Sequence, residues 1–420
     1  MYKLLKLKNN SRVVLEQIPG VRSCTIGIWV KAGSVSETEQ ENGYSHFIEH
    51  MMFKGTQKRT AKQIAQDMDF LGGQLNAFTS KECTCYYAKV IDEKAVEAIE
   101  ILTDLFCNST FDETELEKER GVVIEEILMS NDSPDDVAHE NVSATFFEGT
   151  PLAKTILGPK ENIERVSRED LLAYIQKHYT PQNIVVACAG SFEEEKLMQA
   201  LNDTIGNFGV ENKQQEYSVP IQLEEKKRLS IIQKDIEQVH VLIGLPGYTM
   251  MDERRESLSI LNNVLGGSMS SRLFQKIREE RGLAYSVFTY PSAYSGAGMF
   301  CAYAGTGADN AQQVTELMLE ELEQVKKNGI TKEEFEQSKQ MLRGNYILSL
   351  ESTSSKMNAL GKNLLLGGRV LTEEDVLGRL AKVTLDDVQS TIQDVMQFDK
   401  MTGAFTGKIK ETAFYEKVFS

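Results

Sequence analysis

The sequence predicts an α+β fold made of two homologous α/β sandwich domains, a tandem duplication joined by a linker. Three observations carry this reading: the chain is too long for one core, its pattern of strands and helices occurs twice, and a polar stretch separates the copies. At 420 residues the chain exceeds the roughly 250–300 residues at which single cores stop growing. Hydrophobic residues make up 41% and charged residues 26%, the balance of a globular protein.

The repeat is clearest near the end of each half. Val166-Ser167-Arg168-Glu169-Asp170 and Val383-Thr384-Leu385-Asp386-Asp387 lie 217 residues apart. Each places a Ser or Thr three residues before Asp and then continues with helical spacing, a capping-box-like helix start. Each helix leads to an apolar strand, Asn183–Gly190 in the first copy and Met401–Gly407 in the second. Earlier, the alternating strand Thr25–Val30 has its counterpart in Val239–Leu245, and Phe111–Leu116 corresponds to Ile330–Phe335 as the opening of a long helix. Between the copies, Gly209 to Lys227 is polar, contains Pro220 and has little periodicity. The expected domains are therefore 1–208, a linker over 209–228, and 229–420. A duplication frees one copy to keep the chemistry while the other becomes a wall or a substrate platform.

Composition excludes several functions. Lys and Arg number 46 against 62 Asp and Glu, a net charge of −16, which argues against general affinity for nucleic acid or anionic membranes. No apolar run approaches the ~18 residues of a membrane span. Met1–Lys8 alternates apolar residues with lysine and is expected to be a first strand, not a secretory signal. Six cysteines are too sparse for a disulfide scaffold. Cys24, Cys188 and Cys301 sit in apolar runs as core residues. Cys83 and Cys85 would leave one face of a strand, without the second thiolate pair that a sulfur-ligated metal wants. Reduced thiols and the absence of a targeting signal point to the cytoplasm.

The most informative segment is Gly43-Tyr44-Ser45-His46-Phe47-Ile48-Glu49-His50-Met51-Met52-Phe53-Lys54-Gly55-Thr56. On a helix, positions i and i+4 lie nearly above one another and i+3 flanks them. His46 and His50 can therefore hold one ion from one face, with Glu49 beside them. Imidazoles are favoured zinc ligands, and a catalytic zinc takes three protein ligands. The ion acidifies a water, and a neighbouring carboxylate can take its proton. A third ligand must come from elsewhere. The predicted helix Glu115–Ile127 offers Glu119 and Glu126, seven residues apart and on one face, while Glu125 points about 100° away. Among the other histidines, His178 near a helix end is expected at the surface and His240 in a strand is expected to be packed. His139 has no ligand spacing, and none of the three is assigned to the metal.

His46-Phe47-Ile48-Glu49-His50-Met51-Met52-Phe53-Lys54-Gly55-Thr56 resembles the zinc helix of the pitrilysin, insulysin and mitochondrial processing peptidase family of inverzincin metallopeptidases. That family takes its third ligand from a distant Glu lying seven residues after another Glu. Glu126 lies 76 residues beyond His50 and seven beyond Glu119. The resemblance thus implies His46, His50 and Glu126 as ligands of one Zn2+ per chain, Glu119 as a supporting carboxylate, and Glu49 as general base.

Further matches extend this over nearly the whole chain. Gly72–Ser80 resembles the edge strand that pairs with substrate, which implies substrate contacts at Asn76, Ala77 and Phe78. Arg278-Glu279-Glu280-Arg281-Gly282-Leu283-Ala284-Tyr285 resembles an Arg/Tyr element in which Arg278 and Tyr285 hold the substrate backbone and stabilise the oxyanion. At the repeat position of the zinc helix, Ile260, Asn263 and Val264 stand where His46, Glu49 and His50 stand in the first half, so no second metal is expected. Chain length matches the processing-peptidase branch, which implies a homodimer enclosing a chamber for peptides or unfolded polypeptides. The other reading of the same fold is a non-catalytic core or scaffold subunit. Such subunits have lost ligands that this chain keeps.

Overall fold

The computed structural model describes residues 2–209, 221, 223–224 and 226–419. The expected linker therefore lies largely outside the described residues. The first sheet comprises β1 (Tyr2–Lys6), β2 (Arg12–Gln17), β3 (Ser23–Val30), β4 (Gln74–Thr79), β5 (Thr84–Ile91) and β6 (Ile184–Gly190), in the spatial order β1-β2-β6-β3-β5-β4. The second comprises β7 (Arg228–Gln233), β8 (Gln238–Pro246), β9 (Ala284–Ala293), β10 (Gly298–Gly307) and β11 (Thr402–Gly407), in the order β7-β11-β8-β10-β9.

Without β1, the two orders are the same. Each has one parallel pair, β2 with β6 and β7 with β11, and otherwise antiparallel neighbours. The duplication read from the sequence is thus present strand for strand. The pairs Thr25–Val30 with Val239–Leu245 and Asn183–Gly190 with Met401–Gly407 fall on corresponding strands, and β1 (Tyr2–Lys6) falls within the segment expected to be a first strand.

In the first sheet one face packs Ile26, Ile28, Val30, Tyr86 and Ala88 against helical Phe47, Met51, Ile99 and Leu102, all fully buried. The opposite face carries Val14, Trp29, Cys85, Val185 and Ala187. It is covered by helix Thr353–Gly367, which brings Met357, Leu360 and Leu364 from the second half of the sequence. The fit is close: a Cβ on Gly361 would lie 2.1 Å from the Trp29 indole, and one on Gly27 would lie 2.4 Å from Met357 Sδ. The reverse holds in the second sheet, where Phe146 and Val142 of helix Pro134–Phe146 pack within 3.3–3.4 Å of where a Gly244 Cβ would sit.

The compact units are accordingly not contiguous. One comprises Met1–Leu128, Lys154–Ser218 and Ser349–Thr372, and the other comprises Met129–Ala153, Val219–Leu348 and Glu373–Ser420. This departs from the expected division at 208 and 229. The physical reason is that each sheet is apolar on both faces, while the helices of its own half cover only one.

Cys24, Cys188 and Cys301 are buried, as expected of core residues, and Cys83 and Cys85 are buried as well. His240 is packed at 5% exposure, but His178 is not at the surface: it is completely buried against Tyr174, ring centroids 4.2 Å apart. Burial, aided by Lys177, lowers its pKa to about 4. The folded state thus holds His178 neutral, whereas the unfolded chain protonates it below about 6.5. Stability is therefore lost as pH falls through the window from 6.5 to 4. His178→Phe should remove about 2 kcal/mol of the stability difference between pH 7 and pH 5. Denaturant titrations at the two pH values check this, and an unchanged pH dependence refutes it.

Candidate metal centre

The His helix, Tyr44–Met52, presents two chemically distinct sides. Phe47, Ile48, Met51 and Met52 are buried in the core at 0–1% exposure, leaving His46, Glu49 and His50 on the other side. Gly43 precedes it at φ 104°, where a Cβ would lie 2.6 Å from the Leu157 carbonyl oxygen, so only glycine fits. Having no side chain, Gly43 cannot cap the helix. Glu37, buried at 3% exposure, does so from the preceding turn: its carboxylate accepts the Gly43 and Ser45 N–H groups at 2.9 and 2.7 Å, and the Asn42 amide at 2.9 Å. Burial raises the Glu37 pKa, against the pull of these donors. An acid at a helix N-terminus satisfies orphan N–H groups and complements the helix dipole.

The Glu helix, Glu113–Asp132, starts where Asp112 Oδ1 accepts the Thr114 and Glu115 N–H groups at 2.9 and 3.2 Å. Leu116, Glu119, Val123 and Ile127 form its buried stripe, and Glu126 borders it. Glu125 is exposed, as the helix register predicts.

These two helices bring the predicted ligands together. His46 Nε2 and His50 Nε2 lie 3.6 and 3.4 Å from Glu126 Oε2. Ligand atoms at tetrahedral corners about 2.0–2.1 Å from a zinc ion are about 3.3–3.4 Å apart, so the three donors fit such an ion with little movement. Among the described residues they are the one group of His, Cys, Asp or Glu side chains with this convergence. Glu119 accepts from His50 Nδ1 at 2.8 Å, which fixes the tautomer that turns the Nε2 lone pair toward Glu126. Lys54 Nζ, 2.5 Å from the other Glu119 oxygen, neutralises that carboxylate.

Electrostatics agree with a cation site. Burial, with His50 nearby, lowers the His46 pKa to about 4, keeping it a neutral ligand. Burial would also lower the pKa of His50, but the Glu119 hydrogen bond and the charges of Glu126, Glu119 and Glu49 outweigh it and raise the value. The same negative field favours a metal ion there. For Glu119, burial is outweighed by His50 and Lys54, and its pKa falls. Burial raises the pKa of Glu49, opposed by a hydrogen bond from Thr79.

β4 is the outer strand of its sheet, paired with β5 on one side. Asn76 and Gln74 point to solvent, and Asn76 Oδ1 accepts the Ala77 N–H at 2.8 Å. At its end, Thr79 donates to Glu49 Oε2 at 2.5 Å. In the other unit, Arg278 and Tyr285 meet each other: Arg278 Nη1 donates to the Tyr285 carbonyl at 3.0 Å, and its guanidinium lies 4.7 Å from the Tyr285 ring. That ring is 74% exposed. Ile260, Asn263 and Val264 are buried in the core, and no ligand cluster lies among them. His139 and His240 stay in the second unit, 2.7 Å from Tyr290 Oη and 3.0 Å from Tyr303 Oη respectively.

Three residues at the centre escaped the sequence reading. Lys54 had a usable signal, since it follows His50 by four residues and extends the same helical face. Thr79 stands inside the predicted edge strand, but its partner is thirty residues away. Glu37 acts over a loop, where no periodicity applies.

Comparisons with known proteins identify the family. Residues 12–160 match the family model described as insulinase (peptidase family M16), and residues 165–342 match the one described as the peptidase M16 inactive domain. A Bacillus subtilis protein named uncharacterized zinc protease YmxG is 44% identical over 95% of this chain and 97% of its own length. An uncharacterized zinc protease of Streptomyces coelicolor is 38% identical over 93% and 86%. The crystal structure of a Helicobacter pylori protease superposes with a TM-score of 0.91 at 21% identity, covering 97% of this chain and 99% of that one.

Glu126→Ala should weaken zinc binding by more than about 100-fold, beyond the 10–100-fold typical of outer-sphere partners, and Glu125→Ala should leave it unchanged. Competition with a chelating dye checks this. Equal effects would place the wrong carboxylate on the metal.

Proposed function

Because the chain belongs to peptidase family M16, we propose that it is a zinc-dependent endopeptidase acting on peptides or unfolded polypeptides. The observation that carries the reading is the convergence of His46, His50 and Glu126 beside Glu49, backed by Glu119. Bound zinc supplies a Lewis acid that acidifies water and polarises the scissile carbonyl. Glu49, three residues from His46 on the same helical face, takes the proton from water and returns it to the departing amine nitrogen. Glu119 keeps the His50 tautomer fixed throughout. An extended peptide adds to the free edge of β4 at Asn76, Ala77 and Phe78, so that main-chain hydrogen bonds carry binding with little demand on sequence. Arg278 and Tyr285 hold the substrate backbone and donate to the oxyanion.

The working unit is proposed to be a homodimer enclosing a chamber, active in the cytoplasm with one zinc per chain. No helix among the described residues is long and apolar enough to cross a membrane. Behind the scaffold reading stands the name "inactive domain" for the model matching residues 165–342. That segment contains none of His46, Glu49, His50 and Glu126. The complete set falls within residues 12–160, the segment matching the insulinase model, which favours the enzyme.

Glu49→Gln should lower hydrolysis of a quenched fluorescent peptide by about 10²–10⁴-fold with zinc content unchanged, and near-normal turnover refutes the base assignment. Mixing Glu49→Gln chains with Arg278→Ala chains should restore part of the activity once subunits exchange. No recovery in verified mixed dimers counts against sharing of the element between chains.

A further inference from the structure

The hydrogen bond from Thr79 to Glu49 joins two parts of the site that the proposed chemistry treats separately: the strand edge and the base. Thr79 Oγ1 donates to Glu49 Oε2 at 2.5 Å. Glu49 lies on the His helix and Thr79 is the last residue of β4, so the bond spans two elements thirty residues apart in the chain.

Thr79 is held from several sides. Its backbone closes the β4 ladder opposite Thr84. The next residue begins a tight turn in which the Ser80 N–H and hydroxyl both donate to the Cys83 carbonyl at 2.8 Å. That turn is clamped against the loop before the His helix: the Val35 N–H donates to the Lys81 carbonyl at 2.9 Å. Gly33 approaches so closely that a Cβ there would lie 2.2 Å from the Ser80 oxygen. The hydroxyl therefore issues from a rigid point, whereas Glu49 is a side chain with three rotatable bonds.

We propose that Thr79 is a positioning residue for Glu49: its hydroxyl fixes one carboxylate oxygen, leaving the other aimed at the water to be deprotonated. Because Thr79 belongs to the strand whose free edge takes the substrate, it also ties the position of the base to the position of the bound peptide. Proton transfer depends on the donor and acceptor meeting within hydrogen-bond reach, and misplacement by about 1 Å can cost on the order of 100-fold. The carboxylate would survive loss of the hydroxyl but would rotate among several orientations.

The inference rests on Glu49 acting as the base of peptide hydrolysis. Full-length protein loaded with zinc is assayed on a quenched peptide as Thr79→Val, Thr79→Ala and Thr79→Ser, with Glu49→Gln alongside. Valine keeps the shape and strand preference of threonine, and alanine covers the case in which valine disturbs packing. Both should lower kcat by about 10–100-fold with KM, zinc content and melting temperature little changed. Thr79→Ser, which keeps the hydroxyl, should recover most of kcat. Normal kcat in the Val and Ala variants, a loss confined to KM or zinc content, or a serine variant as impaired as valine would each overturn the proposal. Near-normal turnover of Glu49→Gln would instead sink the base assignment itself, so the two failures are told apart.

Discussion

Three carboxylates crowd around two imidazoles in the first unit, and the local design follows from that concentration of negative charge. Glu49, Glu119 and Glu126 all act on His50, and like charges at such range repel strongly where water is scarce. Lys54 compensates Glu119, and Thr79 donates to Glu49. Glu126 has the two imidazole Nε2 atoms before it. A divalent cation held by those three donors would offset the imbalance.

Holding such a cluster demands rigid supports. The His helix is too short, at nine residues, to be stable by itself, since isolated helices below roughly 12–15 residues are marginal in water. Its apolar side is sealed in the core, and its first turn is fixed by the buried Glu37 carboxylate. The Glu helix gains its orientation from the stripe Leu116, Val123 and Ile127, whose burial places Glu119 and Glu126 without using either for packing energy. On the His helix, site chemistry and core packing are carried by different faces, whereas on the Glu helix Glu119 lies within the buried stripe and Glu126 at its border.

Much of this was legible in the amino-acid order because it is periodic. The i, i+4 spacing of His46 and His50, the seven-residue spacing of Glu119 and Glu126, and the alternation in Thr25–Val30 are local patterns, and helical or strand geometry turns each into a face. The repeated halves were legible for the same reason, as two copies of one pattern. What could not be read is contact between segments with no pattern linking them. Glu37 reaches the His helix across a loop, and Thr79 meets Glu49 only because the hairpin of β4 and β5 folds toward it. His178 follows a lysine at a helix end, which suggests exposure, yet tertiary packing buries it against Tyr174. The apolar second face of each sheet shows that something must cover it, but not which helix does.

The helix exchange also sets an order of events during synthesis. The strands of the first sheet are complete when Gly190 has been made, but the Trp29 face stays open until helix Thr353–Gly367 has emerged. At about 5–20 residues per second that interval is roughly 10–35 s. Through it, a newborn sheet displays Trp29, Val14 and Val185 to the surrounding solution. The ribosome thus releases this protein with its earliest-made core among the last to close, and any chaperone that recognises bare apolar sheet has a defined window in which to act.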